Sequence, residues 1–142
     1  MSWVGSSVPR VEDPALLSGR GKFIDDFHLP DMLHAAVVRS PYAHAKVGKI
    51  DCGEALAMPG VHAVLTQDDL PQPFRDQRLL LLVPNPAIRH PITYFALAKD
   101  EVCFAGEAVA FVVADDRYIA EDAAERVIVD YEPLPVSADC KA

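Results

Sequence analysis

Apolar and polar positions alternate with a period of two across residues 33–47. Leu33, Ala35 and Val37 fall on one side, with His34, Ala36 and Val38 on the other. Beyond Ser40-Pro41, Tyr42, His44 and Lys46 alternate with Ala43, Ala45 and Val47. Successive strand side chains point to opposite faces, so this pattern predicts strands with Ser-Pro at the corner between them. Residues 22–24 predict a short strand leading into a turn at 28–31, and residues 61–66, 101–104 and 107–114 predict further strands. Gly106 joins or bends the last two, as a glycine at a bulge or turn does. Residues 126–132 predict a final strand with Val127, Val129 and Tyr131 inward, stopped by Pro133 and Pro135.

Helix signals are short and punctuated. Over 12–19, Asp13 can cap, Pro14 suits the first helical position, and Gly19 can take the left-handed stop. Asp51-Cys52-Gly53-Glu54 has capping-box spacing and Pro59-Gly60 a stop, predicting a helix over 52–58. Asp115 or Asp116 caps a helix over 117–125, with Ile119, Ala123 and Ala124 on its buried face. Strands and helices mix without regular βα alternation, so the fold class expected is α+β, a mixed β-sheet with a few short helices. The expected organisation is a single domain over 1–142, with an N-terminal arm at 1–11 and a long irregular, proline-rich connection at 71–96.

That connection contains Pro71, Pro73, Pro84, Pro86 and Pro91, yet it also carries Phe74, Leu79, Leu80, Leu81, Leu82, Val83, Ile88, Ile92, Tyr94 and Phe95. A loop that only faces water has little need of so many large apolar groups. These residues therefore form a candidate interface, the alternative being a satellite core folded back over the sheet. Asp13, Gly19, Gly60 and Gly106 are expected to serve the backbone, as cap, stops and bend.

Composition narrows the function classes. At 142 residues and 51% hydrophobic the chain can bury a core, and its longest apolar run, residues 108–114, is too short to span a membrane. A net charge of −8 argues against general nucleic-acid binding, which needs a basic face. Residues 100–132 hold ten carboxylates and two arginines, either a solvated face or a docking face for a basic partner. Residues 1–5 carry neither a basic start nor an apolar stretch, so the expected compartment is the cytoplasm.

Chemistry-bearing residues are scattered. Cys52, Cys103 and Cys140 form no close pair, and Cys103 within Val102-Cys103-Phe104-Ala105 reads as a buried small hydrophobe. Gly19-Arg20-Gly21 follows a helix rather than a strand, and Ile24 occupies the third glycine position, which argues against a dinucleotide loop. Of His28, His34, His44, His62 and His90, only His34 and His44 fall in neighbouring predicted strands, where they can meet across a sheet and, with Asp25 or Asp26, hold a metal. Arg39 beside Ser40 and Tyr42 either holds an anion or ties down a turn. The residues alone define no convincing catalytic, cofactor or metal site.

A resemblance adds to this. Gly19-Arg20-Gly21-Lys22-Phe23, Leu29-Pro30-Asp31-Met32-Leu33-His34-Ala35 and Arg39-Ser40-Pro41-Tyr42-Ala43-His44-Ala45 occur in order. They are followed by Pro59-Gly60-Val61-His62-Ala63-Val64-Leu65-Thr66, Gly106-Glu107-Ala108-Val109-Ala110 and Val129-Asp130-Tyr131-Glu132-Pro133-Leu134-Pro135. Together these resemble the α/β hammerhead domain that opens the large subunit of the molybdenum hydroxylases: xanthine dehydrogenase, aldehyde oxidase and aerobic carbon monoxide dehydrogenase. Ser7-Val8-Pro9-Arg10-Val11-Glu12-Asp13-Pro14 resembles the carbon monoxide dehydrogenase branch. Asp31 stands where the family often has glycine, and 71–96 matches poorly.

The resemblance implies a parent oxidoreductase using molybdenum held by molybdopterin, with electrons leaving through iron–sulfur and flavin partners. It also implies that the pterin loops and catalytic glutamate lie in later molybdenum-binding domains, beyond Ala142, so no catalytic residue carries over. The expectation is a noncatalytic hammerhead portion that packs against those domains, in the same or another chain, with self-association through the same surface as a further outcome. The alternative is a freestanding interaction or small-molecule-binding module with no enzymatic role.

Overall fold

The computed structural model describes residues 4–81, 83, 85–90 and 92–139. Leu82, Pro84, Pro91 and Cys140 lie outside the described residues. The chain divides into two compact units, residues 1–32 and residues 33–142.

The first unit contains helix α1 (Asp13–Leu17) and a 3-10 turn at Ile24–Asp26. Asp13 is not the helix cap. Glu12 holds that position, and the Asp13 carboxylate turns back to accept the Arg10 N–H at 2.9 Å, closing the turn that enters the helix. Gly19, at φ +67°, closes the other end, with its N–H on Leu16 O and the Arg20 N–H on Ala15 O at 2.8 Å. Residues 22–24 are not a strand. The Asp26 carboxylate accepts the Phe23 N–H at 2.8 Å, a local bond that curls the chain into the 3-10 turn.

The second unit is built from two antiparallel three-stranded sheets. In chain order its elements are β1 (His34–Arg39), β2 (Ala45–Asp51), α2 (Gly53–Leu56), β3 (Val61–Leu65), β4 (Glu101–Val102), β5 (Ala108–Ala114), α3 (Arg117–Glu125) and β6 (Ile128–Pro133). One sheet has the order β1-β5-β3 and the other β4-β2-β6. The most apolar run, β5, is the middle strand of the first sheet, paired on both edges. Asp116 caps α3 by accepting the Ile119 N–H at 2.8 Å, and Ala120 and Ala123 are the buried residues on this helix. Ile119 and Ala124 are half-buried.

Two predicted elements are shorter than their patterns suggest. The helix predicted over 52–58 is a single turn, with Cys52 rather than Asp51 flanking it. Asp51 still belongs to β2, opposite Ile128, and the Met58 N–H reaches only to Ala55 O in a tightened exit. The strand predicted over 101–104 ends at Val102, because the Cys103 N–H bonds the Glu107 carboxylate at 2.6 Å instead of a neighbouring strand. Cys103 is exposed rather than buried; Val102 beside it is the core residue.

The core is made of small side chains. Ala55, Ala110, Val112, Ala123 and Val127 form one cluster, and Ala45, Ala98, Val102 and Val109 another, with half-buried Ile50 and Val129 packed against both. Each successive strand lies in the other sheet, and two of these crossovers, at Ser40-Pro41 and at 103–107, are stitched together. The Ser40 N–H bonds Glu107 O at 2.9 Å, the Gly106 N–H bonds Ser40 O at 2.8 Å, and the Arg39 guanidinium donates to Gly106 O at 2.8 Å. Gly106 has φ +91°, a conformation that side chains with a Cβ resist. Gly60, at φ +84°, also approaches α3 so closely that a Cβ would meet Ile119 Cδ1 at 2.9 Å.

A 3-10 turn at Gln67–Asp69 follows β3. Gln67 is only 2% exposed, and both its amide nitrogen and its amide oxygen are bonded. Its Nε2 donates to Phe74 O at 2.7 Å and Arg75 O at 3.0 Å, and its Oε1 accepts the Leu97 N–H at 2.9 Å. One side chain therefore pins both ends of the irregular segment. Asp69 accepts the Thr66 N–H at 2.8 Å and the Thr66 hydroxyl at 2.7 Å, which holds its carboxyl below the ordinary 3.8.

Three outcomes are expected from thermal melts. Gly106→Val costs about 1–3 kcal/mol through the left-handed backbone alone, since a Cβ there meets nothing within 4 Å; an unchanged melt would show the bend tolerates any residue. Gln67→Leu costs on the order of 2–4 kcal/mol by removing three hydrogen bonds and stranding the buried Leu97 N–H, and amide exchange quickens first at 74–97; uniform quickening would contradict the pin. Asp69→Asn lowers the midpoint at pH 7. Because the folded-state pKa is depressed, that deficit is full above the ordinary carboxylate value and closes as pH falls through the folded one. A deficit that widens on acidification would contradict it.

Candidate functional site

Residues 71–96 contain no strand or helix among the described residues, but they are not unstructured. The Gln77 N–H bonds Pro73 O at 3.0 Å, closing a turn that the Gln67 amide holds from below. Further on, two stretches run side by side. The Leu79 N–H bonds Tyr94 O at 2.9 Å, the Thr93 hydroxyl bonds Leu79 O, and the Arg78 guanidinium bonds Thr93 O. Part of the backbone is thus bonded locally while the apolar side chains are left outside.

Phe74, Leu79, Leu80, Leu81, Val83, Ile88, Ile92 and Tyr94 are all exposed. Phe74, Leu79 and Leu80 come together with Pro73, Gln77 and Arg78 around a groove of about 440 Å³. Tyr94 sits edge-on to Phe104 at 6.0 Å. Phe95 differs from the others: it is half-buried, with the Arg78 guanidinium 4.9 Å and the Lys99 ammonium 5.6 Å from its ring centre. Val83 and Ile88 do not line the groove. The satellite-core alternative therefore fails for most of the set, because a satellite core would bury what is here in water.

Two of the histidines, His44 and His62, make structural contacts. His34 and His44 do not meet, because β1 and β2 belong to different sheets and His34 lies opposite Ala114. His44 instead donates through Nδ1 to Pro135 O at 2.8 Å and places Nε2 3.5 Å from Glu101. A register shift between Val61 and Ala63 carries His62 to Asp115, with Nε2 2.6 Å from the carboxylate. Arg39 ties down the crossover, as described above. Among the described residues no three His, Cys, Asp or Glu side chains converge to hold a metal ion.

The two described cysteines are poor thiolates. Burial chiefly, and then the charges of Asp69 and Asp51, push the Cys52 thiol up; burial, then Glu107 and Glu101, do the same at Cys103. Among the described residues no helix is long and apolar enough to cross a membrane. Gln67 escaped the sequence reading because a glutamine before two aspartates reads as a solvated linker; only its place after a strand hints at a structural role.

The family described as "Aldehyde oxidase and xanthine dehydrogenase, a/b hammerhead domain" matches residues 18–135. The carbon monoxide dehydrogenase large chain of Hydrogenophaga pseudoflava is 45% identical over 128 residues, covering 90% of this chain and 15% of that one. The xanthine dehydrogenase molybdenum-binding subunit of Escherichia coli O157:H7 is 36% identical over 136 residues, covering 89% and 17%. Among solved structures, carbon monoxide dehydrogenase from Oligotropha carboxidovorans superimposes with a TM-score of 0.80 at 45% identity, covering 95% of this chain and 16% of that one. The chain thus spans about 15% of the length of the relatives it matches. Matched over most of its residues and carrying the mixed strands and short helices of that fold, the chain belongs to the aldehyde oxidase and xanthine dehydrogenase α/β hammerhead family.

Proposed function

We propose that the chain is the noncatalytic hammerhead portion of a cytoplasmic, molybdenum-dependent hydroxylase large subunit, folded as one domain over 1–142, and that residues 71–96 pack against its molybdenum-binding part. The observation that carries this is the segment itself. Its backbone is bonded locally in part and pinned by Gln67, yet Phe74, Leu79 and Leu80 open an apolar groove to water. A contiguous exposed patch of this kind marks an interaction surface. Iron–sulfur and flavin subunits complete the electron path in this reading.

The chain's own described residues do not fit a molybdenum pterin. No three His, Cys, Asp or Glu side chains among the described residues converge to hold a metal ion. In this reading the hammerhead contributes shape and packing, and the reacting centre is held elsewhere in the subunit.

The test is a chimera in which this chain replaces the matching residues of the Hydrogenophaga pseudoflava large chain. Amide exchange across 71–96 is expected to be at least tenfold slower in the chimera than in the isolated chain, while the face at 115–132 changes less. Equal exchange in both settings, or full protection in the isolated monomer, would defeat the reading.

A further inference from the structure

The groove within residues 71–96 differs from the rest of the exposed apolar set. Leu81, Val83, Ile88 and Ile92 stand outside it, whereas Pro73, Phe74, Leu79 and Leu80 enclose about 440 Å³ together with Gln77 and Arg78. A flat patch suits a protein partner, but a concavity within the range of about 300–1,000 Å³ suits a small molecule. Its walls are set in advance. The Gln77 N–H on Pro73 O and the Gln67 amide on Phe74 O and Arg75 O fix one side, and the Leu79 N–H on Tyr94 O fixes the other. A ligand that enters does not have to order the site first.

One charged residue stands on this apolar lining. The Arg78 guanidinium bonds Thr93 O and lies 4.9 Å from the Phe95 ring centre, so its position is fixed as well. That bond uses one of the five N–H donors a guanidinium carries. Arg75 and Lys99 both reach Asp76, at 3.9 and 4.0 Å, but among the described residues no carboxylate lies within ion-pair distance of Arg78. In a chain with a net charge of −8, an arginine left in that state is available to an outside anion. A carboxylate matches the planar guanidinium fork in shape as well as in sign. A dianion such as a phosphate ester fits less well, because Arg78 also lines an adjoining cleft where Asp100, Glu101 and Glu107 add negative charge.

We propose that this groove is a binding site for a monocarboxylate with an apolar tail, the carboxylate on Arg78 and the tail against Phe74, Leu79 and Leu80. The site goes beyond the function proposed above and does not rest on it. That reading concerns what covers the segment, and this one concerns what the concavity within the segment holds.

Octanoate is the probe, titrated into the 142-residue chain by calorimetry and followed by amide NMR, with octanol and octylamine as tails of matched length. Saturable one-to-one binding of octanoate is expected, with chemical-shift changes confined to 73–80 and 93–95. Octanol and octylamine are expected to bind at least tenfold more weakly. Arg78→Gln is expected to weaken octanoate at least tenfold and to leave octanol unchanged. Leu80→Ser, at a side chain 79% exposed, is expected to keep the melt of the parent chain and to weaken octanoate and octanol alike. Equal affinity for octanoate and octanol would overturn the assignment of an anion. Binding that neither substitution weakens, or shifts centred elsewhere, would move the site off the groove and sink the proposal, as would the absence of saturable binding. None of these results alters amide exchange in the chimera, by which the proposed function stands or falls.

Discussion

The contact between Ser40 and Glu107 is the constraint on which the second unit depends. Two sheets of three strands share no strand, so the chain changes sheet at each of its five connections, and two of these, β1 to β2 and β4 to β5, meet in the same place. Ser40 and Glu107 are both buried, and each exchanges backbone bonds with the other crossover while its side chain closes its own turn. Loss of either side chain would leave part-buried backbone groups of Tyr42 or Cys103 without that partner, at about 1 kcal/mol each. Among the described residues no buried side-chain polar atom lacks a partner, so the junction is a closed system rather than a strained one.

The core that this junction organises is small in a literal sense. The largest fully buried side chains are Val102, Val109 and Val112, and the remainder of the buried apolar set is mostly alanine. Small side chains let sheet and helix approach closely, so cohesion comes from dense contact and complete ladders rather than from bulky groups. Phenylalanine, leucine and isoleucine are concentrated on the outside instead. That inversion suits a chain that spans about 15% of its relatives' length.

Much of this was legible in the sequence, for identifiable reasons. Period-two alternation located β1, β2 and β6, while β3 and β5 were legible as short apolar runs bounded by turn residues, β5 being paired on both edges with no exposed residue. The Asp116 cap located α3, since the bonding group lies within three residues of its partner. The family resemblance rested on ordered short motifs and matched over residues 18–135. What escaped was set by single side chains reaching out of pattern. Asp26 turned a predicted strand into a 3-10 turn, and Glu107 ended β4 early and left Cys103 outside. His34 and His44 were separated by a change of sheet at Ser40 that alternation cannot register. Of the site, the apolar content of 71–96 was readable, but not which members cluster, because that follows from the Gln67 pin and the pairing of 78–79 with 93–94.

The position of β5 has a consequence for biogenesis. Residues 108–114 read Ala-Val-Ala-Phe-Val-Val-Ala, uncharged, without proline or glycine and rich in strand formers, which is the composition of a cross-β template. Both strands that flank it, β1 and β3, precede it in the chain. During synthesis they leave the ribosome first, so the hazardous segment emerges last of the three, into a slot whose two edges already exist. A circular permutation that placed β5 ahead of either neighbour would keep every native contact and still expose the chain to aggregation while it is being made.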